Sequence, residues 1–232
     1  MSATKVEQLW KNVTPEIRPY LQYDTVSLYS VTEADIADRM SRIICHWFGS
    51  AASNLVITDA MACVGGNTSS FGKYFAHVNA IEISQQRVQM LYNNITMLET
   101  INKTTITCAD YLQIWRMLRQ DIVFLDPPWG GPDYRRSQRL DLYVNNVNIA
   151  ELAFSLISWG HDTYGVPIRP AAKMVAIKAP INYNFVSLFS AARSRGLSPE
   201  KTIHIISMGK MLFIIVCAES FKRPRTPPGL MD

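Results

Sequence analysis

One short run of the sequence combines an acid, two prolines and an aromatic residue in a way that suits chemistry on a planar base. The run is DPPWGGPDY at residues 126–134, and it directly follows the apolar stretch 122–125. Two prolines cannot continue a sheet ladder, because each lacks an N–H group and has a fixed φ. The chain therefore leaves a predicted strand at its carboxyl end, where open α/β sheets bind their ligands.

These residues suit the recognition of a base that carries an exocyclic amine. Asp126 and the carbonyl of Pro127 can accept the two amine hydrogens, and the Trp129 ring can stack on the base. Gly130 and Gly131 let the backbone approach a ligand closely. A simple turn with a core tryptophan could use the same residues, but an acid, two prolines and a tryptophan are rarely needed together for turning alone.

The composition indicates a globular protein. With 232 residues, 48% hydrophobic and 18% charged, the chain fits one large domain with a substantial core. The net charge of +4 favours a polyanionic ligand without requiring one. No signal peptide or membrane-spanning run is present, and no cysteine pair has metal-ligand spacing, so we expect a soluble intracellular protein with reduced thiols and no metal. The four cysteines are Cys45, Cys63, Cys108 and Cys217.

From residue 55 onward, short apolar stretches alternate with amphipathic ones, which is typical of a mostly parallel sheet with helices on both faces. The predicted strands are 55–59, 78–83, 104–108, 122–126, 172–178, 201–207 and 211–219. The predicted helices are 66–75, 85–98, 111–118, 146–159 and 185–195. Three residues separate the last two strands, so these strands must form an antiparallel hairpin.

The flanking segments are predicted to be an arm and a tail. Residues 1–50 form an N-terminal arm, with a short helix near 6–12, extended chain, and a longer helix capped by Thr32. Apolar residues from Ile36 to Trp47 recur at helical spacing and would face the core. Residues 51–220 form the main domain, and 221–232 form a basic, proline-rich tail.

The segment after the first strand indicates a nucleoside site. An acid, small residues and two glycines precede a helix between Asp59 and Thr68, so a nucleoside can lie against the backbone. The dinucleotide pattern GxGxxG is missing, because Cys63 stands where its first glycine would be. S-adenosylmethionine (AdoMet), which has a ribose and an adenine but no pyrophosphate, fits better.

Two further strand ends carry acids that suit the same cofactor. Glu82 follows Asp59 by about twenty residues, as expected of an acid that accepts ribose hydroxyls. Asp110 can accept from an adenine amine, and Tyr111 can flank the ring. Each acid alone is more often a helix cap or a solvated loop residue, but the three together are better evidence.

Together the two halves resemble the trimethylguanosine synthase family of RNA cap guanine-N2 methyltransferases. The resemblance is carried by DAMACVGGNT at 59–68 and by DPPWGGPDY, and it extends over roughly 29–219. It implies a Rossmann-like class I AdoMet-dependent methyltransferase, with a seven-stranded, mostly parallel sheet and a C-terminal antiparallel hairpin. It also implies 7-methylguanosine-capped RNA as the partner. Separately, we expect a monomer in the nucleus or cytoplasm of a eukaryotic cell, whether or not that cell is infected by a virus.

The resemblance also implies roles for particular residues. The cofactor would be lined by Asp59, Val64, Gly65, Gly66, Asn67, Thr68, Glu82, Asp110 and Tyr111. Trp129 would stack on the methylated guanine, Asp126 and the Pro127 carbonyl would orient its 2-amino group, and Tyr29 would approach from the arm. The cap triphosphate would need cations, for which Arg135, Arg136, Arg139, Lys178 and Lys210 are candidates; a solvated basic loop explains any one of them equally well.

Two positions depart from the family pattern. The family usually has Phe-Cys-Gly where this chain has Met61, Ala62 and Cys63, and a Cβ at Cys63 crowds the ligand if the turn requires positive φ. The family usually has serine at Asp126. The carboxylate can make the same hydrogen bond, and it could help to neutralise a cationic 7-methylguanine.

Two other functions stay open at this point. An enzyme that methylates adenine amines in DNA or RNA also uses Asp-Pro-Pro-aromatic, although it does not require GGPDY. A cap-binding protein that has lost its cofactor site would explain Cys63, but the retention of Asp59, Glu82, Asp110 and Asp126 argues against it.

Overall fold

The computed structural model describes residues 5–158, 160–161, 167–168 and 171–221. The chain divides into two compact units, Met1–Gln120 and Asp121–Asp232. Within the described ranges, no helix is long and apolar enough to span a membrane. The division predicted from the sequence, an arm at 1–50 followed by one main domain, stays a prediction.

The first unit combines a parallel sheet with α-helices. Its strands β1 (Val56–Asp59), β2 (His77–Glu82) and β3 (Thr104–Cys108) pair in this order, with Asp59 opposite Ala80 and Glu82 opposite Cys108. Short 3₁₀ segments lie at Arg18–Tyr20, Gly49–Asn54, Ile101–Lys103 and Trp115–Met117. The helices are α1 (Lys5–Leu9), α2 (Ser27–Ser30), α3 (Ala34–Phe48), α4 (Gly66–Tyr74), α5 (Gln85–Met97) and α6 (Tyr111–Ile114).

The second unit contains the predicted hairpin. A 3₁₀ segment covers Pro132–Arg136. The helices are α7 (Ile149–Ile157), α8 (Phe185–Arg193) and α9 (Pro199–Thr202), and the strands are β4 (Ile122–Leu125), β5 (Tyr143–Val144), β6 (Val147–Asn148), β7 (Gly160–His161), β8 (Pro167–Ile168), β9 (Met174–Pro180), β10 (Ile203–Ser207) and β11 (Met211–Cys217). Strand β4 pairs with β9 in parallel, whereas β11 is antiparallel to both β9 and β10.

The fold class predicted from the sequence is confirmed. Among the described strands, seven belong to one mostly parallel sheet that includes the antiparallel hairpin β10–β11. Gly209, with φ of 75°, lies in the short hairpin turn. Every residue of β4 and β9 is buried, as the apolar composition of these strands predicts.

The long helix α3 buries the predicted face. Met40, Ile43, Ile44 and Trp47 are buried, and the Ser41 and Ser70 hydroxyl oxygens lie 2.7 Å apart and join α3 to α4. The predicted cap of this helix is wrong. The N-cap residue is Glu33 without a side-chain cap, because the Thr32 hydroxyl accepts a hydrogen bond from Asn67 instead.

The helix predicted over 146–159 is wrong at its start. Asn145 has φ of 49° and forms a two-residue turn with the next asparagine, so β5 and β6 make a hairpin there. Helix α7 begins at Ile149, and the side chain of Asn148 caps it by accepting from the Ala150 N–H at 2.8 Å. The predicted end at residue 159 lies outside the described residues.

Other element boundaries shift by a few residues. The helix predicted over 111–118 ends at Ile114 and continues as a 3₁₀ turn. The strand predicted from 201 begins at Ile203, because Pro199–Thr202 form a helical turn. The arm is less extended than predicted, since α2 interrupts it. The predicted tail, apart from Phe221, lies outside the described residues.

Candidate active site

Three acids lie along one edge of the sheet in the first unit. Asp59 is the last residue of β1, Glu82 is the last residue of β2, and Asp110 follows β3 by two positions. Because the strands are parallel and adjacent, their carboxyl ends meet at the same edge. The structure therefore brings together the three acids that the sequence singled out.

Asp59 connects the start of the turn with α4, the helix that follows the turn. Its buried Oδ2 accepts a hydrogen bond from the Thr68 hydroxyl at 2.6 Å. Thr68 is fully buried in the first turn of α4. The two residues thus tie the end of β1 to α4.

Glu82 and Asp110 hold backbone N–H groups. Glu82 Oε2 accepts from the Cys63 N–H at 3.0 Å, and Oε1 accepts from the Ser84 N–H at 2.9 Å. Asp110 Oδ1 accepts from the Leu112 N–H at 2.9 Å and caps α6. A carboxylate has about four acceptor positions, so Glu82 and Asp110 could each accept from more than one donor, such as a ribose hydroxyl or an adenine amine.

The turn at 63–66 has left-handed backbone and close packing. Cys63 has φ of 50° and Gly65 has φ of 98°. A Cβ on Gly65 would lie 2.9 Å from Leu91 Cδ1, and a Cβ on Gly66 would lie 2.9 Å from Val31 Cγ1. Both glycines are therefore required. The φ of Cys63 is positive, which is the case in which its Cβ crowds the ligand.

The N-terminal arm is hydrogen-bonded to this turn. The buried Asn94 amide donates from Nδ2 to the carbonyls of Gln22 (2.8 Å) and Val64 (2.9 Å), and Oδ1 accepts from the Gln22 N–H at 2.7 Å. Asn67 Nδ2 donates to the Thr32 hydroxyl at 3.0 Å. Sequence reasoning assigned no role to Asn94, although a polar amide among the apolar positions of α5 was a signal for one.

Asn67 carries a buried acceptor at the start of α4. Its Oδ1 atom is buried and has no hydrogen-bond partner among the described residues. A buried carbonyl oxygen without a donor is costly, and an ammonium group such as that of a methionine moiety would satisfy it. The turn therefore fits the cofactor that the sequence predicted.

The two tyrosines predicted at the site differ in exposure. Tyr111 is 2% exposed, its hydroxyl donates to Gln120 Oε1 at 3.3 Å, and burial raises the pKa of the phenol. Its hydroxyl is therefore engaged, and only the ring could line an adenine. Tyr29 lies on α2 and is 76% exposed. Both roles stay predictions.

In the second unit, Asp126 follows β4 and forms an ion pair. Its Oδ2 accepts from Lys178 Nζ at 2.8 Å, and the side chains of Asp126 and Lys178 are 13% and 7% exposed. Lys178 lies within β9, which is the parallel neighbour of β4. Lys178 was predicted as a phosphate ligand, and its ammonium instead has a carboxylate partner in the motif.

Trp129 is partly exposed and lies among polar and aromatic groups. Its ring contacts Tyr134 edge to face, with centroids 5.1 Å apart and an angle of 75°. The Lys178 Nζ atom lies 5.3 Å from the Trp129 ring centroid. The indole Nε1 is buried without a hydrogen-bond partner among the described residues. Pro127 is buried, and Pro128 is exposed.

The loop after Trp129 is open and is held from one side. Gly130 and Gly131 have φ of 85° and 83°, and no atom lies within 4 Å of a Cβ built on either. Asn182 Nδ2 donates to the carbonyls of Tyr134 (2.9 Å) and Ser137 (2.7 Å). Sequence reasoning missed Asn182, because its contacts depend on where the chain after β9 runs.

The candidate phosphate ligands of this loop are exposed and have local partners. Arg135 Nε lies 3.2 Å from the Tyr134 hydroxyl, with the guanidinium 5.5 Å from that ring centroid. Arg136 pairs with Asp133 at 3.3 Å. Arg139 and Lys210 are exposed. Ion pairs and hydrogen bonds between exposed side chains are weak, so these arginines could exchange their local partners for a polyanion.

Comparison with known proteins identifies the family of this chain. Residues 54–193 match the family described as RNA cap guanine-N2 methyltransferase. The chain belongs to this family. The family resemblance found in the sequence motifs is therefore confirmed, and family and fold together indicate an AdoMet-dependent methyltransferase.

The relatives include viral and yeast proteins. The chain is 35% identical over 167 residues to an uncharacterised protein of Acanthamoeba polyphaga mimivirus, covering 70% of this chain and 58% of that one. It is 31% identical over 131 residues to the trimethylguanosine synthase of Schizosaccharomyces pombe, covering 54% and 52%. The chain thus spans somewhat more than half the length of these relatives.

A solved structure supports the fold. A precorrin-6y C5,15-methyltransferase from Geobacter metallireducens superposes with a TM-score of 0.53, at 11% identity, over 87% of this chain and 95% of that one. At this identity the likeness shows the methyltransferase fold alone.

Proposed function

We propose that this chain transfers methyl groups from AdoMet to the 2-amino nitrogen of 7-methylguanosine in RNA caps. The product would be 2,7-dimethylguanosine or 2,2,7-trimethylguanosine. The observation that carries this proposal is the Asp-Pro-Pro-Trp motif directly after β4, with Trp129 partly exposed, in a chain of the cap guanine-N2 methyltransferase family. We further propose that it acts as a monomer in the nucleus or cytoplasm.

The acceptor nitrogen needs orientation more than it needs a strong base. The lone pair of a guanine 2-amino group is delocalised into the ring, and the nitrogen becomes strongly acidic only after methylation. Asp126 and the Pro127 carbonyl accept its N–H hydrogens and so direct the lone pair toward the methyl donor. After transfer, the proton leaves to Asp126 or to water.

Trp129 would stack on the base. A 7-methylated guanine is cationic, and a cation over an indole face gains roughly 0.5–2 kcal/mol, depending on desolvation. The exposed cations Arg135, Arg136, Arg139 and Lys210 would hold the triphosphate, whose charge they complement.

The first unit would bind the cofactor. AdoMet, when bound, supplies an electrophilic methyl group on a sulfonium. Asn67 Oδ1 would accept from its ammonium, Glu82 would accept from the ribose hydroxyls, and Asp110 would accept from the adenine amine. Gly65 and Gly66 would let the backbone of the turn approach the ligand.

Mass spectrometry of a 7-methylguanosine cap dinucleotide after incubation with AdoMet and purified protein tests this function. We expect a product heavier by one or two methyl groups, with the methyl on the 2-amino nitrogen. An adenine-containing oligonucleotide in a parallel reaction serves as the competing substrate. Methylation of the oligonucleotide alone would favour the adenine enzyme, and failure to bind AdoMet would favour the cap-binding protein.

A further inference from the structure

Lys178 is the one charged residue in the sequence of β9, a strand whose residues are all buried. Moving an ammonium group out of water is unfavourable unless the charge is paired. Asp126 supplies that pair at 2.8 Å, between side chains that are both nearly buried. A lysine at this position therefore belongs with the aspartate of the acceptor motif.

The ion pair changes the charge that the motif presents to a ligand. Asp126 alone would place a negative charge beside the base, and in a poorly solvated site that charge would attract a cationic base strongly. With Lys178 Nζ bonded to Asp126 Oδ2, the two charges largely cancel a few ångströms away. The acceptor motif is then close to neutral.

Lys178 also contacts the group that would stack on the base. Its Nζ atom lies 5.3 Å from the Trp129 ring centroid, which is within the range of a cation–π contact. The indole thus already interacts with one cation. Both features of the motif that attract a positively charged base, the carboxylate and the indole, are engaged by the same ammonium.

We propose that Lys178 is a specificity-determining residue that weakens the preference of the acceptor motif for a positively charged base over a neutral one. This inference rests on the proposed function, because it assumes that a purine stacks on Trp129. It does not require a particular number of methyl transfers.

A series of charge variants tests the proposal. Lys178→Met leaves the motif negative, Asp126→Asn leaves it positive, and the double variant is neutral with nearly the original shape. For each protein, calorimetry at mildly acidic pH gives the affinities for 7-methylguanosine triphosphate and guanosine triphosphate. The ratio of the two affinities does not depend on the fraction of folded protein. In Asp126→Asn, the side-chain carbonyl of asparagine still provides an acceptor for the amine of the base.

The ratio should follow the charge of the motif. We expect Lys178→Met to raise the preference for the 7-methylated nucleotide about tenfold, and Asp126→Asn to lower it by a similar factor, as a unit charge near the base would. The double variant should return to within about threefold of the unaltered protein. Should Lys178→Met not fold, the ratio for Asp126→Asn decides, because the proposal requires it to fall.

Three results would overturn the proposal: equal ratios in all four proteins, shifts in the same direction in both single variants, or no binding of either nucleotide by the unaltered protein. Turnover on the cap dinucleotide by the unaltered protein is scored separately. Turnover with equal ratios would leave the proposed function standing and remove the role of Lys178. Ratios that follow the charge, without turnover, would support the role of Lys178 and remove the proposed function.

Discussion

The turn after β1 and the motif after β4 both combine an acid at the end of a buried strand with glycines that follow it, but they use these residues differently. In the turn, Asp59 holds the Thr68 hydroxyl, and Glu82 holds two backbone N–H groups. In the motif, Asp126 holds the ammonium of Lys178. The acids of the turn bond to groups of the turn and of α4, whereas the acid of the motif pairs with a buried charge.

The glycines differ in the same way. Gly65 and Gly66 are enclosed by Leu91 and Val31, whereas Gly130 and Gly131 have no neighbour near a built Cβ. Packing therefore holds the turn, and backbone conformation together with the Asn182 hydrogen bonds holds the loop of the motif. Changes in the turn should alter stability and cofactor affinity together. Changes in the motif should alter acceptor use and leave cofactor affinity unchanged.

The largest expected effect comes from removing the stacking ring. Trp129→Ala should lower turnover on a 7-methylguanosine cap dinucleotide about 100-fold, because the acceptor amine loses its orientation. AdoMet affinity, measured by calorimetry, should stay within about twofold of the unaltered protein, since uncoupled sites behave independently. Trp129→Phe is the matched control and should keep most of the activity. Near-normal turnover by Trp129→Ala would refute the stacking role.

Removing the link between the arm and the turn should give the next largest effect. Asn94→Ala leaves the Val64 carbonyl and both backbone groups of Gln22 without their partner. The free energy of unfolding should fall by about 2 kcal/mol or more, and AdoMet should bind more weakly. Denaturant unfolding and calorimetry measure the two.

Asn93 is the control for this experiment. Its side chain donates to the Tyr20 carbonyl of the arm at 2.8 Å and to Asn94 Oδ1 at 3.2 Å, and among the described residues it makes no hydrogen bond to the turn itself. Asn93→Ala should lower stability by about 1 kcal/mol or less and leave AdoMet affinity unchanged. Equal losses of AdoMet affinity in both variants would contradict a specific role for Asn94.

The sequence predicted the elements and motifs whose signals are local. The strand at 104–108 was predicted with the bounds that the structure has, and four of its five residues are β-branched, which favours a strand. The acids at the ends of β1 and β2 could be aligned because parallel strands end at a common edge. The hairpin β10–β11 followed from the length of its turn.

Contacts between distant residues were not predictable in this way. The pairing of Lys178 with Asp126 depends on the register of β4 and β9, in which Leu125 lies opposite Ile177. The hydroxyl of Thr32 was expected to cap α3, but Asn67 competes for it from 35 residues away. The Asn145 turn did have a local signal, two asparagines between apolar residues, which favours a tight hairpin.

A smaller effect should follow from relieving the backbone of the turn. Cys63 holds φ of 50°, a conformation that costs a residue with a Cβ about 1 kcal/mol or more. Cys63→Gly should therefore raise the free energy of unfolding by about 1 kcal/mol and strengthen AdoMet binding. Cys63→Ala removes the thiol but keeps the Cβ, so it should show no gain. Equal stabilisation in both variants would assign the effect to the thiol.

The smallest expected effect concerns the ion pair between the arm and α5. Arg87 Nε donates to Asp24 Oδ2 at 2.9 Å, and the Ser27 N–H donates to Asp24 Oδ1 at 2.6 Å. Burial opposes ionisation of Asp24, yet the hydrogen bonds from Ser27 and Arg87 outweigh it and lower the pKa of the carboxyl below its ordinary value. Because the pKa is lower in the folded state, the stabilisation is present above about pH 4 and is lost as the pH falls through the folded pKa.

Asp24→Asn should therefore lower the free energy of unfolding at neutral pH by about 1 kcal/mol or less, since the pair is partly exposed. Below about pH 4 the difference between the two proteins should shrink toward zero. Denaturant unfolding across this range measures it, and Asn93→Ala, which removes no charge, should differ from the unaltered protein by a constant amount. A difference for Asp24→Asn that does not depend on pH would show that the charge of Asp24 does not supply the stabilisation, since asparagine keeps an acceptor for the Ser27 N–H.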